Sequence, residues 1–347
     1  MKVDVKGKDG NHGFEVESGE NLLFAGLRNA VGLPYECATG TCGTCKARVS
    51  VGEVDPGWPE APGRSYLKAG ENELLLCQAT TATGCSLYVP AKLIPDREPA
   101  FLPGYRSGEI IKTESLTHDV IFFQLAMDQP LDFEPGQFVV LVADEVVGGR
   151  AYSMVNYTCQ AETLHFVVKR KPGGKFSDWL FDNDIVGRTL KLFGPLGQAV
   201  FRPEENKNIL CIGGGSGIAA MMSIVSRACQ ESYFKDHKGY LFFGVRTAMD
   251  TFFLDRFSDH VSTFPDNLRV TVALSDEEVP PALKNKYPGI DYDTGFVHSV
   301  ASQQMTGKYD NLVAFVGGPP PMVDGALRML ILEARLSGGD IRYDKFG

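Results

Sequence analysis

Hydrophobic and polar positions alternate over residues 3–5 and 14–16, on either side of Gly10-Asn11, which predicts a hairpin turning there. The run Leu22-Leu23-Phe24-Ala25-Gly26-Leu27 has the spacing of a short buried helix. Residues 47–51, 74–77 and 86–89 read as further strands, so residues 1–95 predict a helix laid across a small mixed sheet, the β-grasp arrangement. Prolines then punctuate residues 90–103, and 96–103 read as a stiff linker. Residues 104–203 carry short alternating runs at 109–112, 120–125, 138–142, 164–169 and 189–192, separated by Gly/Pro turns, which predicts an antiparallel β-barrel. From 204 to 347 the pattern changes to continuous apolar strands (208–212, 239–245, 268–273, 312–316) alternating with helical segments such as 322–332. That alternation predicts an α/β unit with a parallel sheet. The chain is therefore read as multidomain α+β.

The densest chemistry lies in Pro34-Tyr35-Glu36-Cys37-Ala38-Thr39-Gly40-Thr41-Cys42-Gly43-Thr44-Cys45. The spacing C-x4-C-x2-C, with Cys77 following Leu74-Leu75-Leu76, is the ligand pattern of a plant-type [2Fe-2S] cluster. Two irons need four thiolates, and one loop supplies three only if its backbone wraps the cluster. Gly40 and Gly43 permit the positive φ values of such a wrap, and the small residues between the cysteines let amide N–H groups reach the sulfurs. Zinc is the competing reading, but zinc sites pair their ligands, and Cys77 has no neighbouring partner, Cys85 lying eight residues on. Cys211, inside Ile209-Leu210-Cys211-Ile212, reads as a core residue.

Two glycine segments fall where a strand ends and a helix begins. Gly213-Gly214-Gly215-Ser216-Gly217 precedes Ile218, so it is neither G-x-G-x-x-G nor a Walker loop, yet its position suits a dinucleotide diphosphate. Gly317-Gly318-Pro319-Pro320-Pro321-Met322 lies at a second strand end, the carboxyl edge where a ligand meets such a sheet. In the barrel, Gly173-Gly174-Lys175-Phe176-Ser177 runs into a helix, with Ser177 read as its N-cap. Arg150-Ala151-Tyr152-Ser153 offers a guanidinium fork, a stacking ring and a hydroxyl, though alone it reads as a barrel strand. Thr117-His118-Asp119 reads as a solvated turn, and Trp58 as a core plug of its proline-rich loop.

A net charge of −9 provides no basic stripe for phosphates, which argues against a nucleic-acid partner. No run approaches a membrane span and the start lacks a signal-peptide apolar stretch, so the chain is expected to be cytoplasmic with no membrane partner.

The cysteine quartet, Arg-x-Tyr-Ser, Gly-Gly-Gly-Ser-Gly and Gly-Gly-Pro-Pro-Pro-Met follow in that order at domain-sized intervals. Together with Pro135-Gly136-Gln137-Phe138 and the Tyr343-Asp344-Lys345-Phe346 ending, they resemble the ferredoxin–NADH reductase components of bacterial multicomponent oxygenases, such as those of carbazole dioxygenase and toluene monooxygenase. The resemblance implies a [2Fe-2S] ferredoxin domain (1–95), an FAD-binding barrel (104–203) and an NAD-binding domain (204–347) of ferredoxin–NADP reductase-like fold. The implied function is an NADH-dependent oxidoreductase passing electrons through FAD and the cluster to the terminal oxygenase of a Rieske-type aromatic ring-hydroxylating dioxygenase, or to its small ferredoxin. A di-iron monooxygenase is the alternative client, and a non-catalytic redox sensor is the reading from another class. A monomer is expected.

The implied roles fall on matching positions. Cys37, Cys42, Cys45 and Cys77 hold the cluster; Arg150, Tyr152, Ser153, Val168 and Lys169 lie at the flavin; and Gly174, Lys175, Phe176 and Ser177 cradle its diphosphate. Gly214, Gly215, Ser216 and Gly217, with Arg246, Gly318 and Pro319, take NADH, and Phe346 covers the flavin face that nicotinamide must reach. Ser153, Tyr152 and Phe346 are the expected catalytic contacts. The chain departs from the family at Gly317, where a cysteine is common, at Ala220 in place of proline, and at Gly347 in place of a second aromatic.

Overall fold

The computed structural model describes residues 1–94 and 100–345, and three sheets organise them. The first is built from β1 (Lys2–Gly7), β2 (Gly10–Glu15), β3 (Lys46–Gly52), β4 (Glu73–Leu75) and β5 (Cys85–Tyr88), in the order β2-β1-β5-β3-β4. Helix α1 (Leu22–Arg28) crosses it. Asn21 caps the helix through its side-chain oxygen, which accepts the Phe24 N–H at 2.8 Å, and residues 22–27 are all buried. The β1–β2 turn falls at Lys8-Asp9, two residues earlier than expected: Gly7 pairs with Gly10, and Gly10 opens β2 at φ +130. The last-ligand strand also ends early, at Leu75, so Cys77 lies in the turn beyond it. Trp58 is 39% exposed, so it is not the expected core plug; Ala61 and Gly63 are the buried residues of that loop.

The second sheet comprises β6 (Gly104–Ser115), β7 (Val120–Leu131), β8 (Phe138–Val142), β9 (Arg150–Ser153), β10 (Ala161–Lys169) and β11 (Thr189–Leu196), in the order β10-β7-β6-β11-β8-β9. Its ends meet just past β9, where Val155 donates to the His165 carbonyl at 2.9 Å and the Asn156 side chain bridges the Thr163 carbonyl and the His165 N–H. Helix α2 (Lys175–Asp182) packs Phe176 and Leu180 against the barrel interior. Its N-cap is Gly174, which corrects the expectation of Ser177: the Ser177 hydroxyl sits inside the first turn, accepting the Lys171 N–H at 3.1 Å.

The third sheet is parallel and six-stranded: β12 (Asn208–Gly214), β13 (Gly239–Val245), β14 (Leu268–Leu274), β15 (Asp291–Thr294), β16 (Leu312–Gly318) and β17 (Ile341–Lys345), in the order β15-β14-β13-β12-β16-β17. α3 (Ile218–Gln230) and α4 (Leu254–Thr263) cover one face, where Leu283 of α5 (Pro281–Lys286) also packs, and α6 (Val297–Met305) and α7 (Pro320–Leu332) cover the other. Burial on both faces explains the unbroken apolar run of β12: Ile209 and Cys211 point to one core, Leu210 and Ile212 to the other.

The first two sheets share a core. Phe24 of α1 stacks on Phe193 of β11 with centroids 4.1 Å apart, and Phe138, Val140 and Leu196 join the same cluster as the α1 residues. No helix among the described residues is long and apolar enough to cross a membrane.

Candidate functional site

The four cysteines of the expected cluster converge at the edge of the first sheet. The loop closes around Cys37, whose Sγ accepts the N–H groups of Thr39, Thr41 and Cys42 at 3.5, 3.4 and 3.4 Å. Ala38 (φ +56), Gly40 (φ +88) and Gly43 (φ +77) supply the left-handed turns that aim those amides inward. The Gln78 side-chain amide donates to Cys77 at 3.5 Å. The Cys42 thiol bonds to Cys37 and the Cys45 thiol to Cys77. The first bond, helped by the backbone donors, lowers the Cys37 thiol well below its ordinary value. Cys77 is likewise lowered, first by Cys45, while Cys42 and Cys45 are raised by the same bonds and by burial. Two facing thiol pairs with amide donors trained on sulfur fit a group ligated by four thiolates. Cys85 stands apart in the core, its thiol raised by burial.

A cavity of about 870 Å³ opens between the barrel and the carboxyl edge of the parallel sheet. The barrel contributes Tyr152, Ser153 and Lys169, and the sheet contributes Gly214, Gly215, Ser216, Gly217, Arg246, Gly318 and Pro319. The rest of the expected set lies around it. Val168 points into the barrel core, so Val167 and Lys169 face the cavity on either side of it. Phe176 is buried behind Tyr152, their centroids 5.5 Å apart, and Arg150 donates to the Gly149 carbonyl at 2.8 Å. Lys175 lines a separate groove with Trp179 and Asp182. Burial raises the Tyr152 phenol. Phe346 lies outside the described residues.

Glycine is dictated here by close approach. A Cβ on Gly217 would stand 2.5 Å from the carbonyl carbon and oxygen of Gly317, and one on Gly317 would stand 2.8 Å from the Gly217 oxygen. The two glycine loops therefore touch through bare backbone, which accounts for the departure at 317: a cysteine would force them apart. A Cβ on Gly213 would meet Ile218 at 2.7 Å, so Ile218 fills the space that the usual third glycine leaves. A Cβ on Gly174 would meet the Lys171 carbonyl at 2.8 Å, keeping the α2 entry open. Bare backbone cradles at two helix entries, beside a cavity walled by an aromatic ring and hydroxyls, fit dinucleotide cofactors.

Several cavity residues were not legible in advance. Asp344 pairs with Gly317 across β16–β17 and lines the cavity. Its Oδ2 is buried with no hydrogen-bond partner among the described residues, and burial, with Glu36 adding to it, pushes its pKa to about 7. Exposed Phe296 stacks on His298 at the far rim, 5.8 Å between centroids. His118, Asp119 and Asp250 gather at the near rim, but Lys169 engages Asp119 at 3.0 Å and Thr247 engages Asp250.

Family models match all three sheets. The 2Fe-2S iron-sulfur cluster binding domain matches residues 3–82, the oxidoreductase FAD-binding domain 107–201 and the oxidoreductase NAD-binding domain 211–328. The chain is 35% identical to the ferredoxin–NAD(P)(+) reductase CarAd of Metapseudomonas resinovorans, over 95% of each chain. It is 31% identical to the ferredoxin–NAD(+) reductase component of the alkene monooxygenase system of Xanthobacter autotrophicus, over 96% of this chain and 97% of that one. Among solved structures, the ferredoxin reductase in carbazole 1,9a-dioxygenase superposes with a TM-score of 0.84 at 32% identity, covering 100% of this chain and 99% of that one. Amycolatopsis cytochrome P450 reductase GcoB gives 0.81 at 30%, covering 99% and 98%. The chain belongs to the ferredoxin–NAD(P)(+) reductase components of oxygenase systems, oxidoreductases that join a 2Fe-2S domain to FAD- and NAD-binding domains.

Proposed function

We propose that this chain carries electrons from NADH to the terminal oxygenase, or its small ferredoxin, of a Rieske-type aromatic ring-hydroxylating dioxygenase. The observation that carries the reading is the direct join between the two sites: Tyr35, two residues before Cys37, is hydrogen-bonded to Gly197 of the barrel, whose Tyr152 and Ser153 line the dinucleotide cavity. When bound, the cofactors would supply the redox chemistry: NADH would give a hydride, two electrons at once, to the flavin, which would release them singly to the cluster.

The residues bind, orient and exclude water. Tyr152 and Ser153 present ring and hydroxyl to the flavin, with Phe176 fixing the Tyr152 ring from behind. Arg150 and the 174–177 turn hold the flavin diphosphate, and Lys169 adds a positive charge on the same side. Gly214 to Gly217 with Gly318 and Pro319 seat the NADH diphosphate. Arg246 lies near the adenosine ribose, but its carbonyl accepts the Asp276 N–H at 2.9 Å, which brings the acidic run 276–278 beside it. Those carboxylates disfavour a further phosphate, which supports NADH over NADPH. Phe346 is retained as the proposed flavin cover. The chain acts as a cytoplasmic monomer, with unit boundaries at 1–95, 104–203 and 204–347.

The alternative client is a di-iron monooxygenase, a reading favoured by the 31% identity to an alkene monooxygenase reductase component. The deciding experiment supplies Rieske and di-iron oxygenase components in turn and measures NADH-driven product. Product with the Rieske component alone supports the proposal; product only with the di-iron component replaces it.

A further inference from the structure

A hydrogen bond ties the cysteine loop to the barrel. The Tyr35 hydroxyl, two residues before Cys37, accepts the N–H of Gly197 at 3.0 Å. Gly197 sits just past β11 at φ +104, with its Cα packed on the Phe138 ring: a Cβ there would be 3.0 Å from Cδ1. Phe138 in turn pairs with Ser153 across β8–β9. A continuous chain of contacts therefore runs from the cavity-lining serine, through Phe138 and Gly197, to the loop that bears Cys37. Tyr35 is half-buried, and desolvation pushes its phenol up to about 12. The other attachments of this unit to the barrel, the Phe24–Phe193 stack and the Glu20–Tyr105 contact, lie at and just before α1, away from the loop. Among the described residues, the Tyr35 bond is the directional contact to the barrel at the loop itself.

We propose that Tyr35 is a positioning residue: its hydroxyl bond to Gly197 locks the cysteine loop in one orientation against the cavity-lining barrel strands. The inference rests on the electron-transfer reading above for its functional consequence, while the lock itself is a statement about the fold.

Tyr35→Phe keeps the ring and removes only the acceptor, leaving the Gly197 amide unpaired. In the holoprotein, amide exchange at Gly197 should speed up about fivefold or more, the scale set by one neutral hydrogen bond. In anaerobic stopped flow, NADH should reduce the iron–sulfur chromophore several-fold more slowly, while NADH–ferricyanide turnover and the cluster's EPR signal stay as in the parent. Phe24→Leu is the comparison variant, loosening the same interface elsewhere; Gly197 should remain protected in it. Parent-like exchange and parent-like cluster reduction in Tyr35→Phe would overturn the proposal. So would a matching loss of ferricyanide turnover, which would make Tyr35 a general support of the flavin unit, or equal exposure of Gly197 in Phe24→Leu. Were the parent protein unable to reduce its cluster with NADH, the functional reading would fail, and the exchange data would still decide the lock.

Discussion

Gly217→Ala probes the contact between the two glycine loops. The added methyl would lie 2.5 Å from three backbone atoms, Gly317 C and O and Gly318 Cα. Ordinary carbon contacts begin near ~3.5 Å, and backbone cannot swing aside as a side chain can. Overpacking of this kind costs about 1–3 kcal/mol. Because the loops form the NADH side of the cavity, that cost falls largely on coenzyme binding, a weakening of about tenfold or more. Two neighbours calibrate the argument. Gly214→Ala would meet Met322 Cε at 3.0 Å, the tip of a flexible chain that can move. Gly215→Ala has nothing within 4 Å, but at φ +54 the left-handed conformation costs roughly 1–2 kcal/mol. The KM for NADH in ferricyanide reduction, with flavin content and Tm measured alongside, should worsen most for Gly217→Ala. Parent-like KM and Tm in that variant would refute the reasoning.

Cys42→Ser should remove the cluster's iron and absorbance yet spare NADH–ferricyanide turnover, because the flavin serves that acceptor directly; iron analysis and the two rates check it. Asp344 has a folded pKa of about 7 against an ordinary 3.8, so the native state holds the proton more tightly than the unfolded chain. Stability therefore falls as pH rises from roughly 4 through 7, by up to about 4 kcal/mol at ~1.4 kcal/mol per pKa unit. Asp344→Asn should flatten that slope in holoprotein denaturation curves and be the more stable form above pH 7; an unchanged slope counts against it. For coenzyme choice, kcat/KM should favour NADH, and a higher value for NADPH would reject the role given to the acidic run at 276–278.

The parts written in local sequence were legible and those made by distant pairing were not. Cys37 to Cys45 announced their loop because ligand spacing and positive-φ glycines are local requirements, and the apolar run of β12 announced a strand buried on both faces. Ser177 misled because serine is a common cap, whereas here the tight approach of Lys171 reserves the cap for Gly174. β17 was invisible: Ile341–Lys345 is a polar edge strand whose pairing with β16 is set by tertiary contact. Asp344 belongs to a terminal motif, but only the Gly317–Asp344 register puts it in the cavity wall. Tyr35 likewise gains its meaning from a partner 162 residues away.

Anaerobic titration of the purified protein with NADH, followed by visible and EPR spectroscopy, tests the central claim most directly. The account predicts flavin and a 2Fe-2S centre in one chain, bleaching of the flavin band, and then the appearance of a reduced-cluster EPR signal without any added mediator. Zinc at the cysteines, no bound flavin, or a flavin that bleaches while the cluster stays oxidised would contradict it.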